Sequence, residues 1–250
     1  MRKRTVRYNG ATMHVRELTG RGGHAFMLVH GIGVSSRYFE PLARALHDEG
    51  DVFLLDLPGF GGIPRPDRRL SIGGYAETVH VALVQEGISN PVLVGHSMGA
   101  QVVVELLARH PVSTHAVLIG PPVNPVEPTV VQQAARLIQS AAAESRRLRL
   151  LASRAYLSCG PAWFLDVLPA MMKYPIVDRL PLVRANTLVL RGEHDTVTPQ
   201  PWIDEIVSLL PTASSAVVPG AAHNVVYEHS APVAELVLQY LAAMDAPRSR

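Results

Sequence analysis

Apolar and polar positions alternate along this chain in two rhythms. Residues 5–8 and 11–17 alternate one by one about Asn9-Gly10, the pattern of two strands joined by a tight hairpin turn. Later runs are apolar almost throughout: residues 25–29, 51–56, 92–94, 115–119, 187–190 and 215–218. Short unbroken runs of that kind predict strands buried on both faces. Between them lie segments with helical spacing, at 38–47, 72–86, 100–109, 199–210 and 231–244. Strands that alternate with helices predict a mostly parallel sheet covered on both sides, in an α/β fold.

The rhythm changes over residues 120–184. Pro121, Pro122, Pro125 and Pro128 open this stretch. Residues 130–157 have helical spacing, with Val131, Ala134, Ile138 and Ala141 on one stripe expected to face inward. Residues 161–173 form a shorter apolar segment, expected to break at Pro169 and close at Pro175. No strand pattern occurs here, and the stretch is too short for an independent domain. The expectation is one domain over residues 1–250 with a small helical insertion at about 120–184. Residues 246–250 are expected to fray.

In a sheet of this kind, functional groups gather just beyond the carboxyl ends of the strands. His30, Gly61, Ser97, Pro121, Asp195 and His223 all fall there, and the insertion would lie above them. The stretch at residues 91–100 carries the most information. A buried run at 92–94 leads directly into Gly95-His96-Ser97-Met98-Gly99, and a helical segment follows until Pro111. Strand, sharp turn and helix form the context in which G-x-S-x-G exposes a serine hydroxyl above a sheet. The glycines two residues either side of Ser97 are where a side chain would collide with strand or helix.

A serine hydroxyl needs a base to take its proton. Of eleven histidines, His223 is best placed, in the loop after the run at 215–218. His229 is a rival at the start of the last helix. His96 should point away from the Ser97 hydroxyl, and His30 is expected to brace its own turn. The base needs a carboxylate to hold its tautomer. Asp195 is the candidate, with Glu193 the competitor two residues earlier. An oxyanion would need two preorganised N–H donors, and the backbone amides of Met98 and Ile32 are the candidates.

Composition sets the outer bounds. The chain has 250 residues, 48% hydrophobic and 18% charged, which describes a well-cored protein and not a disordered one. A net charge of +2 gives no basis for nucleic acid or an anionic membrane as partner. The single cysteine, Cys159, has no internal partner and reads as an idle thiol. The basic N-terminus lacks the apolar stretch of a signal peptide, so a reducing cytoplasm is the expected compartment.

His30-Gly31-Ile32-Gly33, Asp56-Leu57-Pro58-Gly59-Phe60-Gly61, the Ser97 turn, Gly192-Glu193-His194-Asp195 and Gly220-Ala221-Ala222-His223 together resemble the α/β-hydrolase superfamily. The similarity is to its branch of small cytoplasmic esterases, lactonases and carbon–carbon bond hydrolases, and it spans roughly residues 5–244. It implies an eight-stranded sheet with only the second strand antiparallel, and a lid between strands six and seven. The order Ser97, Asp195, His223 is the triad order of that fold. Serine at position 97 argues against haloalkane dehalogenases and epoxide hydrolases, which carry aspartate there. Asn224 stands where many ring-cleavage hydrolases have tryptophan.

The resemblance thus implies a serine hydrolase of carboxylic esters, expected to act without cofactor or metal as a monomer or homodimer, and the apolar inner face expected of the insertion implies small to medium uncharged substrates. Carbon–carbon bond hydrolysis, cofactor-free perhydrolase chemistry and a non-enzymatic small-molecule receptor remain alternatives. Tyr156, Trp163, Phe164, Leu168 and Met171 are the candidates to line the substrate slot. The charges of the insertion, in which Arg and Lys outnumber Asp and Glu, are expected to form its solvated outer face.

Overall fold

The computed structural model describes residues 1–245. The expected frayed tail, residues 246–250, lies outside the described residues. Eight strands form one sheet: β1 (Arg2–Tyr8), β2 (Ala11–Leu18), β3 (His24–Val29), β4 (Gly50–Asp56), β5 (Val92–His96), β6 (His115–Ile119), β7 (Asn186–Gly192) and β8 (Ala213–Val218). Their order across the sheet is β1-β2-β4-β3-β5-β6-β7-β8. β2 runs antiparallel to both of its neighbours, and every pairing from β4 to β8 is parallel. The hairpin predicted at Asn9-Gly10 is present. Both residues have positive φ, 46° and 77°, as the twist-matched two-residue turn requires.

The sheet separates two cores, and strand residues alternate between them. Met27, Phe53, Leu55, Leu93 and Leu118 point to one side, where they meet α2 (Ile72–Glu86), α3 (Met98–Arg109) and α8 (Gln200–Leu209). Phe26, Leu28, Leu54, Val94 and Val117 point to the other, against α1 (Glu40–Leu46), α9 (Val225–Glu228) and α10 (Ser230–Asp245). Burial on both faces is why these strands read as continuous apolar runs. The two edge strands are exceptions: β8, expected to be buried on both faces, exposes Ser214, Ser215 and Val217 because no strand lies beyond it, and β1 forms the opposite edge. Its Arg2, Lys3, Arg4 and Arg7 place charge where an open edge would otherwise pair with another chain. The helix expected at 38–47 is in fact a 3-10 turn, Ser36–Phe39, that passes into α1. Pro41, which donates no hydrogen bond, suits that first α-helical turn.

The insertion runs between β6 and β7 as α4 (Val130–Ala142), α5 (Arg146–Cys159), α6 (Pro161–Met172) and α7 (Ile176–Arg179), followed by a 3-10 turn, Leu180–Leu182. It corrects the sequence reading in three places. The helical stretch at 130–157 is two helices, because Ser145 caps α5 by accepting the N–H of Leu148. Pro169 does not break α6. It sits in the last turn, where the missing N–H orphans only the carbonyl of Leu165, whose own side is exposed.

The third correction concerns the stripe on α4. Val131 and Ile138 are 78% and 74% exposed, and the buried positions are Gln133 and Ser140. Polar side chains turn inward here because backbone groups beneath need partners. Gln133 accepts the N–H of Val123 and donates to the carbonyl of Glu127.

α3 anchors the base of the insertion. Its buried Glu105 accepts hydrogen bonds from Arg109, from Tyr174 at 3.0 Å and from Arg179 at 2.8 Å. Gln101 donates to the carbonyl of Met171 at 3.1 Å. Arg179 is therefore half-buried in an ion pair and not part of a solvated face.

Candidate active site

The β5–α3 turn holds Ser97 at φ 54°, ψ −124°, a conformation that costs a non-glycine residue about 1–3 kcal/mol. The Ser97 N–H donates to the carbonyl of Ile119 at 2.9 Å, and the Ser97 carbonyl accepts from Ala100 at 2.8 Å. The flanking glycines are required by distance. A Cβ at Gly95 would stand 2.4 Å from the Gly99 oxygen, and one at Gly99 would stand 2.0 Å from the Val29 oxygen. Removing either hydrogen for a methyl would push α3 off the sheet and move the hydroxyl.

His223 follows β8 and is buried beside Ser97. Its Nε2 lies 3.2 Å from Ser97 Oγ, and its Nδ1 lies 2.9 Å from Asp195 Oδ2. The arrangement assigns the tautomer: Nδ1–H donates to the carboxylate, which leaves Nε2 to accept from the serine hydroxyl. Asp195 comes from the loop after β7. Its Oδ1 accepts the N–H groups of Val197 and Thr198, and its Oδ2 also accepts the Thr198 hydroxyl. Burial alone would raise the Asp195 carboxyl. The nearby His223 ring and the Thr198 bonds outweigh it and hold the group below its usual range. Burial would likewise lower His223, but the Asp195 charge and hydrogen bond, aided by Glu144, keep it above the ordinary histidine value.

The competing residues have other partners. Glu193 accepts the N–H of Gly220 at 2.8 Å and so braces the loop that carries His223. His229 ends α9. His96 turns its ring away from the serine hydroxyl, and its Nε2–H donates to the His223 carbonyl at 2.9 Å. Burial drives its pKa down to about 3. His30 donates from Nδ1 to the Gly31 carbonyl at 2.8 Å and accepts the Leu57 N–H at Nε2. It ties the turn at residues 30–33 to the end of β4. That turn presses on the β5–α3 turn, since a Cβ at Gly31 would lie 3.0 Å from the Ser97 Cβ. The N–H groups of Ile32 and Met98 have no hydrogen-bond acceptor among the described residues.

Two insertion residues that the pattern did not single out touch the histidine loop. Ser140 Oγ accepts the N–H of His223 at 2.9 Å. Glu144 Oε1 accepts both the backbone and side-chain N–H groups of Asn224, at 3.2 and 2.8 Å. Burial raises the Glu144 carboxyl. Neither residue lies in a motif, and only the folded insertion brings them to the site.

The five slot candidates divide in two. Tyr156 and Phe164 meet edge to face, with centroids 5.7 Å apart, directly over Gly33, where a Cβ would come within 2.3 Å of the Tyr156 ring. Trp163 packs over Gly59 and Phe60 and with Met171 belongs to the core on the α3 side, against which Leu168 and Phe164 are packed. One group of metal-ligand type lies away from this site. Glu77, His80 and His110 bring ligand atoms within 4.8 Å of one another. The His80 and His110 rings are stacked at 3.8 Å and 13°. Nearly parallel imidazole planes do not aim their lone pairs at a shared point, so this is a stacked pair hydrogen-bonded to a carboxylate. Among the described residues no helix is long and apolar enough to cross a membrane.

Known proteins align with this chain over spans from 43% to 95% of its length. A polyketide synthase of Burkholderia thailandensis, ThaQ, is 26% identical over 252 residues, which span 90% of this chain and 12% of that much longer protein. A 2-(acetamidomethylene)succinate hydrolase of Mesorhizobium japonicum is 32% identical over 109 residues, or 43% of this chain and 38% of its own. Among solved structures, Est816, described as an N-acyl homoserine lactone degrading enzyme, superposes with a TM-score of 0.85 at 20% identity, covering 95% of this chain and all of its own. The model of the alpha/beta hydrolase family matches residues 26–236. With that match, the eight-stranded sheet and the inserted helices between β6 and β7, the chain belongs to the alpha/beta hydrolase family.

Proposed function

We propose that this chain is a serine hydrolase of carboxylic esters, with Ser97 as nucleophile. The observation that carries the reading is the unbroken hydrogen-bonded line Ser97–His223–Asp195, at 3.2 and 2.9 Å, above a strained strand-to-helix turn. Ser97 Oγ attacks the ester carbonyl carbon as His223 Nε2 takes its proton. The carbonyl oxygen becomes an oxyanion and moves to the unpartnered N–H groups of Ile32 and Met98. Two donors fixed before the reaction begins stabilise that charge without reorganisation. As the carbon–oxygen bond breaks, His223 gives the proton to the departing alkoxide and leaves an acyl group on Ser97. Water then repeats the sequence, with His223 again the base, and releases the acid. Asp195 keeps its charge throughout and steadies the imidazolium.

The inserted helices act as a lid. Tyr156 and Phe164 close the space above the oxyanion turn, and they are the two side chains that would meet the acyl group first. Trp163, Leu168 and Met171 back that wall. Aromatic and aliphatic walls favour small to medium uncharged acyl groups and separate neighbouring chain lengths by only about 1–3 kcal/mol per methylene.

The test is turnover of 4-nitrophenyl esters from acetate to dodecanoate by the purified chain. The expected profile peaks among the short and medium acyl groups, with activity abolished in Ser97→Ala. No turnover of any ester by the wild type would overturn the reading.

A further inference from the structure

A concave surface lies beside this site. It is a half-open cleft of about 830 Å³ between α5 of the insertion and the Ser36–Phe39 turn with the start of α1. That volume is in the range of small-molecule sites. The cleft is next to the chemistry. Gly33 and Val34 form part of its wall, and Gly31, two residues before Gly33, touches the Ser97 Cβ position. Two residues of chain reach at most about 7 Å. None of the five aromatic and aliphatic slot candidates lines it.

Its charge is one-sided. Lys3 of β1, Arg16 of β2, Arg37 of the 3-10 turn, Arg44 of α1 and Arg154 of α5 all line it. Two carboxylates face them. Glu40 is taken by Arg16 at 3.0 Å and Arg44 at 3.9 Å, and Asp56 accepts the N–H of Ser36 at 2.8 Å. Lys3, Arg37 and Arg154 have no carboxylate partner among the described residues. Tyr38 also lines the cleft, with its hydroxyl buried beneath the surface and without a hydrogen-bond partner among the described residues.

Five cationic residues from five elements line this one volume, and one of them is carried on the insertion. Like charges around a concave, low-dielectric wall repel one another, and the same arrangement focuses a positive potential into the cleft. Guanidinium forks match carboxylate and phosphate oxygens in geometry as well as charge.

We propose that this cleft is an anion subsite, which holds a carboxylate or phosphate carried by the substrate at a distance from its scissile bond. The inference rests on the ester-hydrolase reading for the bond that is broken, and it adds a charged end to a substrate whose acyl pocket is apolar. Arg37 and Arg154 grip the anion from the two sides of the cleft, and Lys3 and Arg16 add positive charge to its lining.

Calorimetric titration with inorganic pyrophosphate decides the matter without any turnover. The wild type should bind it, more weakly as salt is raised, and the double variant Arg37→Gln/Arg154→Gln should bind at least about tenfold more weakly, as expected for the loss of charge-assisted hydrogen bonds. The control Arg146→Gln/Arg147→Gln removes the same charge from exposed positions outside the cleft and should bind as the wild type does. No binding by the wild type, or equal weakening in the two double variants, overturns the proposal. If no ester is cleaved, the hydrolase reading fails while this result stands by itself.

Two matched substrate pairs then place the anion. A wild-type preference for 4-nitrophenyl hemiglutarate over the butyrate puts a carboxylate on the acyl side. A preference for butyryl-coenzyme A over the butyryl thioester of N-acetylcysteamine puts phosphate on the leaving-group side. Either preference, reduced about tenfold in Arg37→Gln/Arg154→Gln, supports the subsite, and ratios identical in wild type and variant for both pairs overturn it.

Discussion

The hydroxyl of Ser140, on α4, accepts the backbone N–H of His223 at 2.9 Å. A residue of the insertion thereby fixes the loop of the histidine that faces Ser97. Both groups are buried, so the bond has no water to replace it, and the position of α4 and that of the imidazole are mechanically linked.

Ser140→Ala should leave that N–H unsatisfied at a cost of about 1–3 kcal/mol. For a chain of this size the thermal midpoint should fall on the order of 2–10 °C. The kcat on a 4-nitrophenyl ester should fall more than KM rises, because the ring would lose its register with Ser97 while the slot stays in place. Ser140→Thr keeps the acceptor and should recover most of both. Thermal melts and steady-state kinetics on the two variants check this, and an unchanged kcat in a destabilised Ser140→Ala would confine the bond to a structural role.

Asp195 and Glu193 lie two residues apart and act on different atoms. Asp195→Asn replaces an acceptor at Nδ1 with a group that favours the wrong tautomer, and kcat should drop on the order of 10⁴-fold. Glu193→Gln keeps an oxygen for the Gly220 N–H and should stay within a few-fold of wild type. The decisive comparison is of kcat in the two variants at one pH. A larger loss in Glu193→Gln would place the acid at the wrong residue.

The pH profile follows from the His223 environment. The base works only when neutral, so kcat/KM should rise with pH through the pKa of His223 in the free protein. Asp195 raises that pKa above the ordinary 6.5, which places the rising limb on the alkaline side of that value. His96, with a pKa of about 3, stays neutral over the whole range and adds no second limb. In Asp195→Asn the raising charge is gone while the burial remains, so the residual activity should show its limb shifted to lower pH. A limb that stays in place would mean that another group titrates.

The parts of the fold legible in the sequence are those governed by local sterics and by burial on both faces. β5 reads as an apolar run because it is covered on each side, and Gly95 and Gly99 read as obligatory because any Cβ there meets backbone within 2.4 Å. The insertion was less legible. On α4 the apolar stripe is a poor guide, since Gln133 and Ser140 turn inward to satisfy the N–H groups of Val123 and His223. Those demands come from residues distant in sequence. The basic cleft was not legible either. Arg16, Arg37 and Arg154 sit on separate elements and share a volume only once α5 has folded back over the Ser36–Phe39 turn.

Phe164 and Tyr156 stack edge to face over Gly33. Phe164→Ala should open space there and move the acyl-length optimum to longer chains, while labelling of Ser97 by a fluorophosphonate persists. Trp163→Ala would remove a fully packed ring, at a cost of about 3–5 kcal/mol, and is the less informative change. A chain-length series on Phe164→Ala and Tyr156→Ala checks the point. An unchanged optimum in both would remove these rings from the slot.

The account stands on Ser97 as the atom that is acylated. The most direct measurement is intact-mass and peptide mass spectrometry after reaction with a fluorophosphonate. The account predicts one adduct per chain, on the peptide containing Ser97, formed faster above the pKa of His223 and absent from folded Ser97→Ala. An adduct on another residue, or none on a folded wild-type chain, would contradict it.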